Sequence, residues 1–328
     1  MTAGGNLLEV DNLNLGFRLF EGRSAVLRDV SLSLAPGERV ALVGESGCGK
    51  SIFLRALLGL LDPRKAVMSG KISFDGRRLD NMKEGERAKL RGRDISIIFQ
   101  DPTTALNPVF TIRDQFRDIL RRPGTSMSVA DADRTASDML KSVYIDDSER
   151  VLNSYPFQLS GGLNQRVMIT MALSNKPKLV LADEPGTALD VTVQEQALRL
   201  MREATEAHGA AMLLVTHNLG VVREFAERVY VMYAGCVVEE ATAEELFDDP
   251  KHPYTRALFA AVPRLVGGAL PEPIDGMVPD FVAPPQGCRF HPRCAFASER
   301  CLVPPPLVEI SASRSVACVL HAPARQEV

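Results

Sequence analysis

Short apolar runs separated by turn residues dominate the start of the chain: Leu7-Leu8-Glu9-Val10, Leu15-Gly16-Phe17-Arg18-Leu19-Phe20, and Val30-Ser31-Leu32-Ser33-Leu34 before Pro36-Gly37. Such runs predict a small antiparallel sheet leading into the strand Arg39-Val40-Ala41-Leu42-Val43. After a glycine-rich break, Ile52-Phe53-Leu54-Arg55-Ala56-Leu57-Leu58 has helical character. Gly70-Lys71-Ile72-Ser73-Phe74-Asp75-Gly76 and Ile95-Ser96-Ile97-Ile98-Phe99 predict further strands, the second ending at Gln100. Residues 101–108 carry Pro102 and Pro108 and are expected to form a loop, whereas residues 111–150 carry helical patterns broken around Pro123-Gly124. Ser160 is placed to cap a helix running through Val167-Met168-Ile169-Thr170-Met171-Ala172-Leu173. A fully apolar strand, Leu179-Val180-Leu181-Ala182, delivers Asp183-Glu184-Pro185. Ala188-Leu189-Asp190 opens a helix to about residue 208, Met212-Leu213-Leu214-Val215 ends at Thr216-His217, and Val229-Tyr230-Val231-Met232-Tyr233 with Val237-Val238-Glu239 closes the sheet. Strands alternating with helices predict a largely parallel sheet covered on both faces.

Proline takes over from about residue 246, at Pro253, Pro263, Pro271, Pro273, Pro279, Pro284-Pro285 and Pro304-Pro305-Pro306, with few long apolar periodicities. An appendage held by something other than its own core is expected there. The expected division is residues 1–245, with a helical insert over about 101–175, followed by residues 246–328.

Composition narrows the class without naming it. A hydrophobic share of 45% suits a globular core. A formal net charge of -3 and a pI near 6.0 give no sign of a basic nucleic-acid-binding face. No apolar run approaches the ~18 residues of a membrane span, and Met1-Thr2-Ala3-Gly4-Gly5-Asn6 lacks an export pattern. A cytoplasmic chain that reaches a membrane only through a partner is expected. Four of the six cysteines, Cys288, Cys294, Cys301 and Cys318, cluster near the end, and without an export signal this favours a metal or cluster site over disulfides.

The chemistry centres on Gly44-Glu45-Ser46-Gly47-Cys48-Gly49-Lys50-Ser51, which fits G-x-x-x-x-G-K-[ST] between a strand and a helix. Glycines let the backbone wrap phosphates, Lys50 supplies a cation for the β and γ phosphates, and the Ser51 hydroxyl suits magnesium. Asp183 at a strand end suits magnesium, and Glu184 suits orienting or deprotonating a water. His217 ends a strand in the same manner. Ser160-Gly161-Gly162 offers a second anion-binding turn. Phe17, with Phe20 as a rival, is placed to stack on an adenine ring. Cys48 is expected to be a small residue tolerated in the loop, with a thiol that ionises more easily at a helix N-terminus and is mildly sensitive to alkylation as the rival reading.

Taken in order, residues 44–51, Gln100, Leu159-Ser160-Gly161-Gly162, Asp183-Glu184, Asp190 and His217 resemble the nucleotide-binding subunits of ABC transporters across nearly all of residues 7–245. The resemblance implies an α/β fold with a P-loop NTPase (RecA-like) core, an antiparallel β subdomain, an α-helical subdomain and a C-terminal cysteine-containing extension. It implies that Gln100 is the Q-loop glutamine and a magnesium ligand, that Ser160, Gly161 and Gly162 form the signature segment, that Asp190 lies in the D-loop, and that His217 is the switch histidine. In that family two cassettes sandwich ATP head to tail, so the signature segment and Asp190 contact the nucleotide of a facing subunit. Departures are Asn164 before Gln165, Gly186 after Pro185 and Asn218 after His217.

Phe99-Gln100-Asp101-Pro102, Leu106-Asn107-Pro108, Leu189-Asp190-Val191-Thr192-Val193-Gln194 and His252-Pro253-Tyr254-Thr255 resemble the oligopeptide, dipeptide and nickel branch. So does Gly287-Cys288-Arg289-Phe290-His291-Pro292-Arg293-Cys294 with Cys301 and Cys318. In some members four such cysteines hold a [4Fe-4S] cluster; thiolate ligands equally suit structural zinc, and unligated thiols are the third option. The implied function is ATP hydrolysis, with Mg2+, driving peptide import, with nickel, an opine, a glycoside or another small solute as alternative cargo and a soluble regulatory ATPase as the rival class. Implied partners are two transmembrane permease subunits, a second ATP-binding subunit (a paralogue), and indirectly an extracytoplasmic solute-binding protein, at the cytoplasmic face of the inner membrane.

Overall fold

A computed structural model describes residues 5–20, 22–122, 125–186, 191–261 and 273–322. The chain forms two compact units, one of residues 1–35, 39–82 and 214–328, the other of residues 36–38 and 83–213. In the first unit the strands Gly22–Leu34, Leu8–Leu19, Ala66–Phe74 and Arg77–Arg78 form an antiparallel sheet in that order. The first two apolar runs of the sequence belong to one long strand. Its register shifts around Asn12, whose backbone is left-handed (φ 49°), so the chain can bend without ending the strand.

The same unit carries a mixed sheet ordered Val308–Ser311, Arg314–Val316, Cys236–Thr242, Arg228–Tyr233, Arg39–Val43. Arg39–Val43 and Arg228–Tyr233 pair in parallel, and the pairs beyond Arg228–Tyr233 are antiparallel. The reason is local. Ala234 and Gly235, both at positive φ (43° and 78°), make a two-residue hairpin turn, and such a turn can join only antiparallel neighbours.

What holds the proline-rich end is the core of this unit. Tyr254 and Phe290 are buried with Val43, Val231, Tyr233 and Leu246, and Ile274, Val278, Phe281, Cys288 and Cys294 pack against them. Rings of Tyr233, Tyr254 and Phe290 meet with centroids 4.5–5.4 Å apart, each pair contributing about 0.5–1.5 kcal/mol beyond area burial. Arg289 donates to the carbonyls of Ala234 and Ala25, and Arg28 donates to Gly287 O at 2.7 Å. Arg28 thus satisfies one carbonyl of the proline-rich end, and Arg289 from that end satisfies two carbonyls outside it.

In the second unit, helices Ile112–Leu120, Val129–Ser142, Ser148–Asn153 and Gly161–Leu173 enclose a core of Ile112, Phe116, Leu140, Val151 and Val167. Residues 102–105, expected as loop, form the short helix Pro102–Ala105. Asp101 caps it by accepting from Thr103 N at 2.8 Å, and Pro102 sits in the first turn, where a missing N–H costs nothing. The break expected at Pro123-Gly124 lies outside the described residues. Among the described residues no helix is long and apolar enough to cross a membrane.

His252 caps the helix Pro253–Ala260: its Nδ1 accepts from Tyr254 N at 2.9 Å, which requires an unprotonated nitrogen. Burial, and secondarily the charge of His321, pushes its pKa down to about 3. The unfolded chain therefore takes up this proton first. The stabilisation is complete above the ordinary value near 6.5 and is lost as pH falls toward 3. Denaturant titrations between pH 7 and 4 should show stability falling by up to ~1.4 kcal/mol per pH unit through this group, a slope that His252→Gln removes. Equal slopes in both proteins would contradict the assignment.

Candidate functional site

The apolar strand Arg39–Val43 runs into residues 44–49, and Gly49, at φ 110°, starts the helix Lys50–Leu58. A side chain at Gly44 has no room: a Cβ would lie 2.1 Å from Met232 O. Lys50 is buried, and its Nζ donates to Gly44 O at 2.8 Å and Glu45 O at 3.0 Å. The ammonium is thus pinned against the carbonyls of its own loop. Ser46 and Gly47 complete the turn, and Ser51 stands in the first turn of the helix.

At Cys48 the reactive-thiol reading is corrected. It is fully buried, and burial pushes its thiol up despite the lowering charge of Lys50. Desolvation outweighs the helix terminus because the thiolate has no access to water.

Phe17 is half-buried on Leu8–Leu19, facing Ser24 and Ala66, and lines a cavity of 400 Å³ with Gly16, Leu27 and Val67. A Cβ built at Gly49 would lie 3.1 Å from Leu27, so this cavity shares a wall with the phosphate loop. Phe20 is fully exposed. His217 follows the strand Ala211–Thr216 and is exposed. Asn218, the departure beside it, caps the next helix by accepting from Gly220 N and Val221 N at 3.1 and 3.4 Å, which an aspartate would also do.

In the second unit the parallel strands Ile95–Ile98 and Leu179–Asp183 pair with Ile98 opposite Ala182. Their next residues therefore emerge at one edge, and Gln100 Nε2 donates to Glu184 Oε2 at 3.4 Å. Glu184 holds a left-handed backbone (φ 47°), uncommon for a residue with a side chain and worth about 1–2 kcal/mol. Asp183 ends the strand, half-buried beside it. Ser160 caps Gly161–Leu173, its Oγ accepting from Leu163 N at 3.4 Å, and Ser160 and Gly161 are exposed while Gly162 is half-buried. Asn164 is buried and donates to Pro156 O at 2.9 Å, holding the turn ahead of that serine. Asp190 lies outside the described residues.

Cys288, Cys294, Cys301 and Cys318 line one apolar cavity with Phe290, His252 and Val319, and all are free thiols. Burial, then the neighbouring sulfurs, pushes Cys288 up to about 11, and burial also raises Cys294 and Cys318. Thiolates crowded in a dry cavity need a cation to ionise, so the donor chemistry suits a metal centre. Yet among the described residues no group of three or more His, Cys, Asp or Glu is arranged to hold a metal ion.

Pattern reading names Arg293, Tyr233 and Tyr254 only as members of longer runs and misses their contacts around Glu45. Arg293 forks onto Glu45 at 2.9 and 3.2 Å, and Glu45 N donates to the Tyr254 hydroxyl at 2.9 Å. Nothing local links partners more than 200 positions apart. An arginine beside an acid-free cysteine run was the only hint.

The ABC transporter family matches residues 27–187, and the family described as oligopeptide/dipeptide transporter, C-terminal region, matches residues 238–301. The dipeptide transport ATP-binding protein DppD of Bacillus subtilis is 46% identical over 290 residues, covering 88% of this chain and 86% of its own length. The oligopeptide transport ATP-binding protein AppD of the same organism is 42% identical over 319 residues, covering 96% and 97%. Among solved structures, the ATP-binding cassette MJ0796, in a dimeric post-hydrolysis state bound to ADP and Pi, is similar with a TM-score of 0.64 and 31% identity, over 72% of this chain and 98% of that one.

A maleimide reagent tests the loop. Peptide mass spectrometry should find Cys48 unlabelled in the native protein and labelled after denaturation, whereas rapid native labelling would show the loop to be open.

Proposed function

We propose a function that proceeds from kinship: the chain belongs to the ABC transporter ATP-binding family and carries the oligopeptide/dipeptide transporter C-terminal region, and it is an ATPase that powers import of di- or oligopeptides. Residues 1–245 act as the cassette, with its helical part at about 101–175, and residues 246–328 as the extension. The contact between Gln100 and Glu184, at the shared edge of two parallel strands, carries the catalytic reading.

Lys50 and the N–H groups of residues 46–51 bind the phosphates, Gly44, Glu45, Gly47, Cys48 and Gly49 shape the loop, and Phe17 stacks on the base. Ser51, Gln100 and Asp183 hold magnesium, whose oxygen donors suit a hard cation and which supplies charge neutralisation when bound. Glu184 orients and polarises the water, Gln100 holds that carboxylate, and His217 contacts the γ phosphate, so that catalysis is positioning and charge stabilisation. Ser160, Gly161, Gly162 and Asp190 complete the site of a facing cassette, a paralogue. ATP then works as a clamp between two chains, seated against two membrane permease subunits at the cytoplasmic face and supplied by a solute-binding protein beyond the membrane.

The four cysteines are read as holding a [4Fe-4S] cluster. Four free thiols lining one apolar cavity carry this reading, and structural zinc would take the same donor set.

Two measurements test this function. Glu184→Gln should keep ATP affinity within about twofold while lowering kcat at least ~100-fold, and normal turnover in that variant would remove Glu184 from the chemistry. Anaerobically purified protein should be brown, with absorbance near ~400 nm that Cys318→Ser abolishes; stoichiometric zinc with no such band would install the alternative.

A further inference from the structure

Glu45 is the junction of the phosphate loop. Its carbonyl accepts from Lys50 at 3.0 Å, its N–H donates to the Tyr254 hydroxyl at 2.9 Å, and both carboxylate oxygens meet Arg293. Arg293 has little freedom to do otherwise. Its side chain is 5% exposed, Nε donates to Asp275 O at 2.7 Å, and Nη2 also donates to Ile274 O at 3.0 Å. Nη1 also donates to the Tyr233 hydroxyl at 3.2 Å, and the guanidinium lies 5.7 Å from the centre of that ring. The fork is therefore fixed by the extension and presented to the loop, not borrowed from a mobile surface side chain.

We infer that Arg293, with Tyr254, is a positioning residue of the ATP site: the C-terminal extension neutralises the Glu45 carboxylate and locks the Glu45 backbone, so that the loop meets nucleotide phosphates already shaped. Two physical effects support ATP binding here. An unpaired carboxylate one position into a phosphate loop repels a triphosphate, and the Arg293 charge cancels that repulsion. A loop whose second residue is held at N–H, carbonyl and side chain loses less conformational entropy when the ligand arrives. Because Cys294 follows Arg293 directly, ending the short helical turn His291–Arg293, the extension's cysteine cavity and the ATP loop share one packed support.

The inference rests on residues 44–51 being the ATP phosphate loop, so Lys50→Ala is measured in parallel. ATP affinity of the full chain is read by calorimetry, with kcat and KM alongside. Arg293→Met should weaken ATP binding about tenfold and raise KM far more than it lowers kcat; Arg293→Lys, which keeps charge without the fork, should fall between. In a Glu45→Gln background Arg293→Met should matter by less than about threefold, since its effect runs through that carboxylate. Tyr254→Phe, which removes only a hydroxyl, should weaken binding about threefold and serves if Arg293→Met does not fold. Arg314→Met is the control. That buried arginine of the extension bonds the carbonyls of Asp249 and Glu245, away from the loop, and its loss should lower stability while leaving ATP affinity within about twofold. Unaltered binding in Lys50→Ala would refute the loop itself. Weak binding in Lys50→Ala with native-like binding in Arg293→Met, or equal losses in Arg293→Met and Arg314→Met, would overturn the role of Arg293 alone.

Discussion

Backbone crowding around residues 44–49 is the constraint on which the rest depends. Gly44 lies against Met232 O, so close that a Cβ would sit 2.1 Å away, and one at Gly235 would sit 1.6 Å from Val26 O. Gly235 N donates to Cys48 O at 2.7 Å, and Arg28 N to Gly235 O at 2.9 Å. The phosphate loop, the hairpin turn after Arg228–Tyr233 and the strand Gly22–Leu34 therefore meet backbone to backbone, at positions far apart in sequence. Only residues without side chains allow that approach, and once it is made the loop has one shape. Lys50 folds back onto the carbonyls this shape presents.

Charge follows from the same packing. A buried lysine, a carboxylate at Glu45 and a buried arginine at 293 occupy one neighbourhood, and each is hydrogen-bonded on its available sides. Removing water from such groups costs several kcal/mol unless partners replace it, so the cluster demands its full set of bonds. That demand joins the extension to the nucleotide loop more firmly than its proline-rich composition suggests. Tyr233, Tyr254 and Phe290 fill the space between, and His252 reaches the cysteine cavity on the far side.

A different device arranges the chemistry in the second unit. Parallel strands deliver their following residues to one edge, so register alone brings Gln100 to Glu184. The left-handed backbone at Glu184 aims its carboxylate where an ordinary extended residue would not. Caps do comparable work on the helices: Ser160, Asp101 and Asn218 each hold the N–H groups of a first turn.

Much of this was legible in the residue order. Apolar runs marked the strands Arg39–Val43, Leu179–Asp183 and Ala211–Thr216, because a buried strand must be continuously apolar whatever surrounds it. The loop at residues 44–51 was legible because its glycines and lysine are demanded by phosphate chemistry at fixed spacing. Local rules misled where two readings of one residue compete. Pro102 breaks a helix interior but suits a first turn, and Cys48 gains from a helix terminus but loses more by burial. The hairpin at Ala234-Gly235 makes Arg228–Tyr233 and Cys236–Thr242 antiparallel neighbours. The sequence by itself determined which residues can bind phosphate, cap a helix or fill a core, since these are properties of side chains and spacing. Only the tertiary structure decided that Arg293 holds Glu45 and that four thiols share a cavity. Pairing across more than 200 positions leaves no periodic trace in the chain, and burial, which sets the charge of each group, belongs to the packed whole.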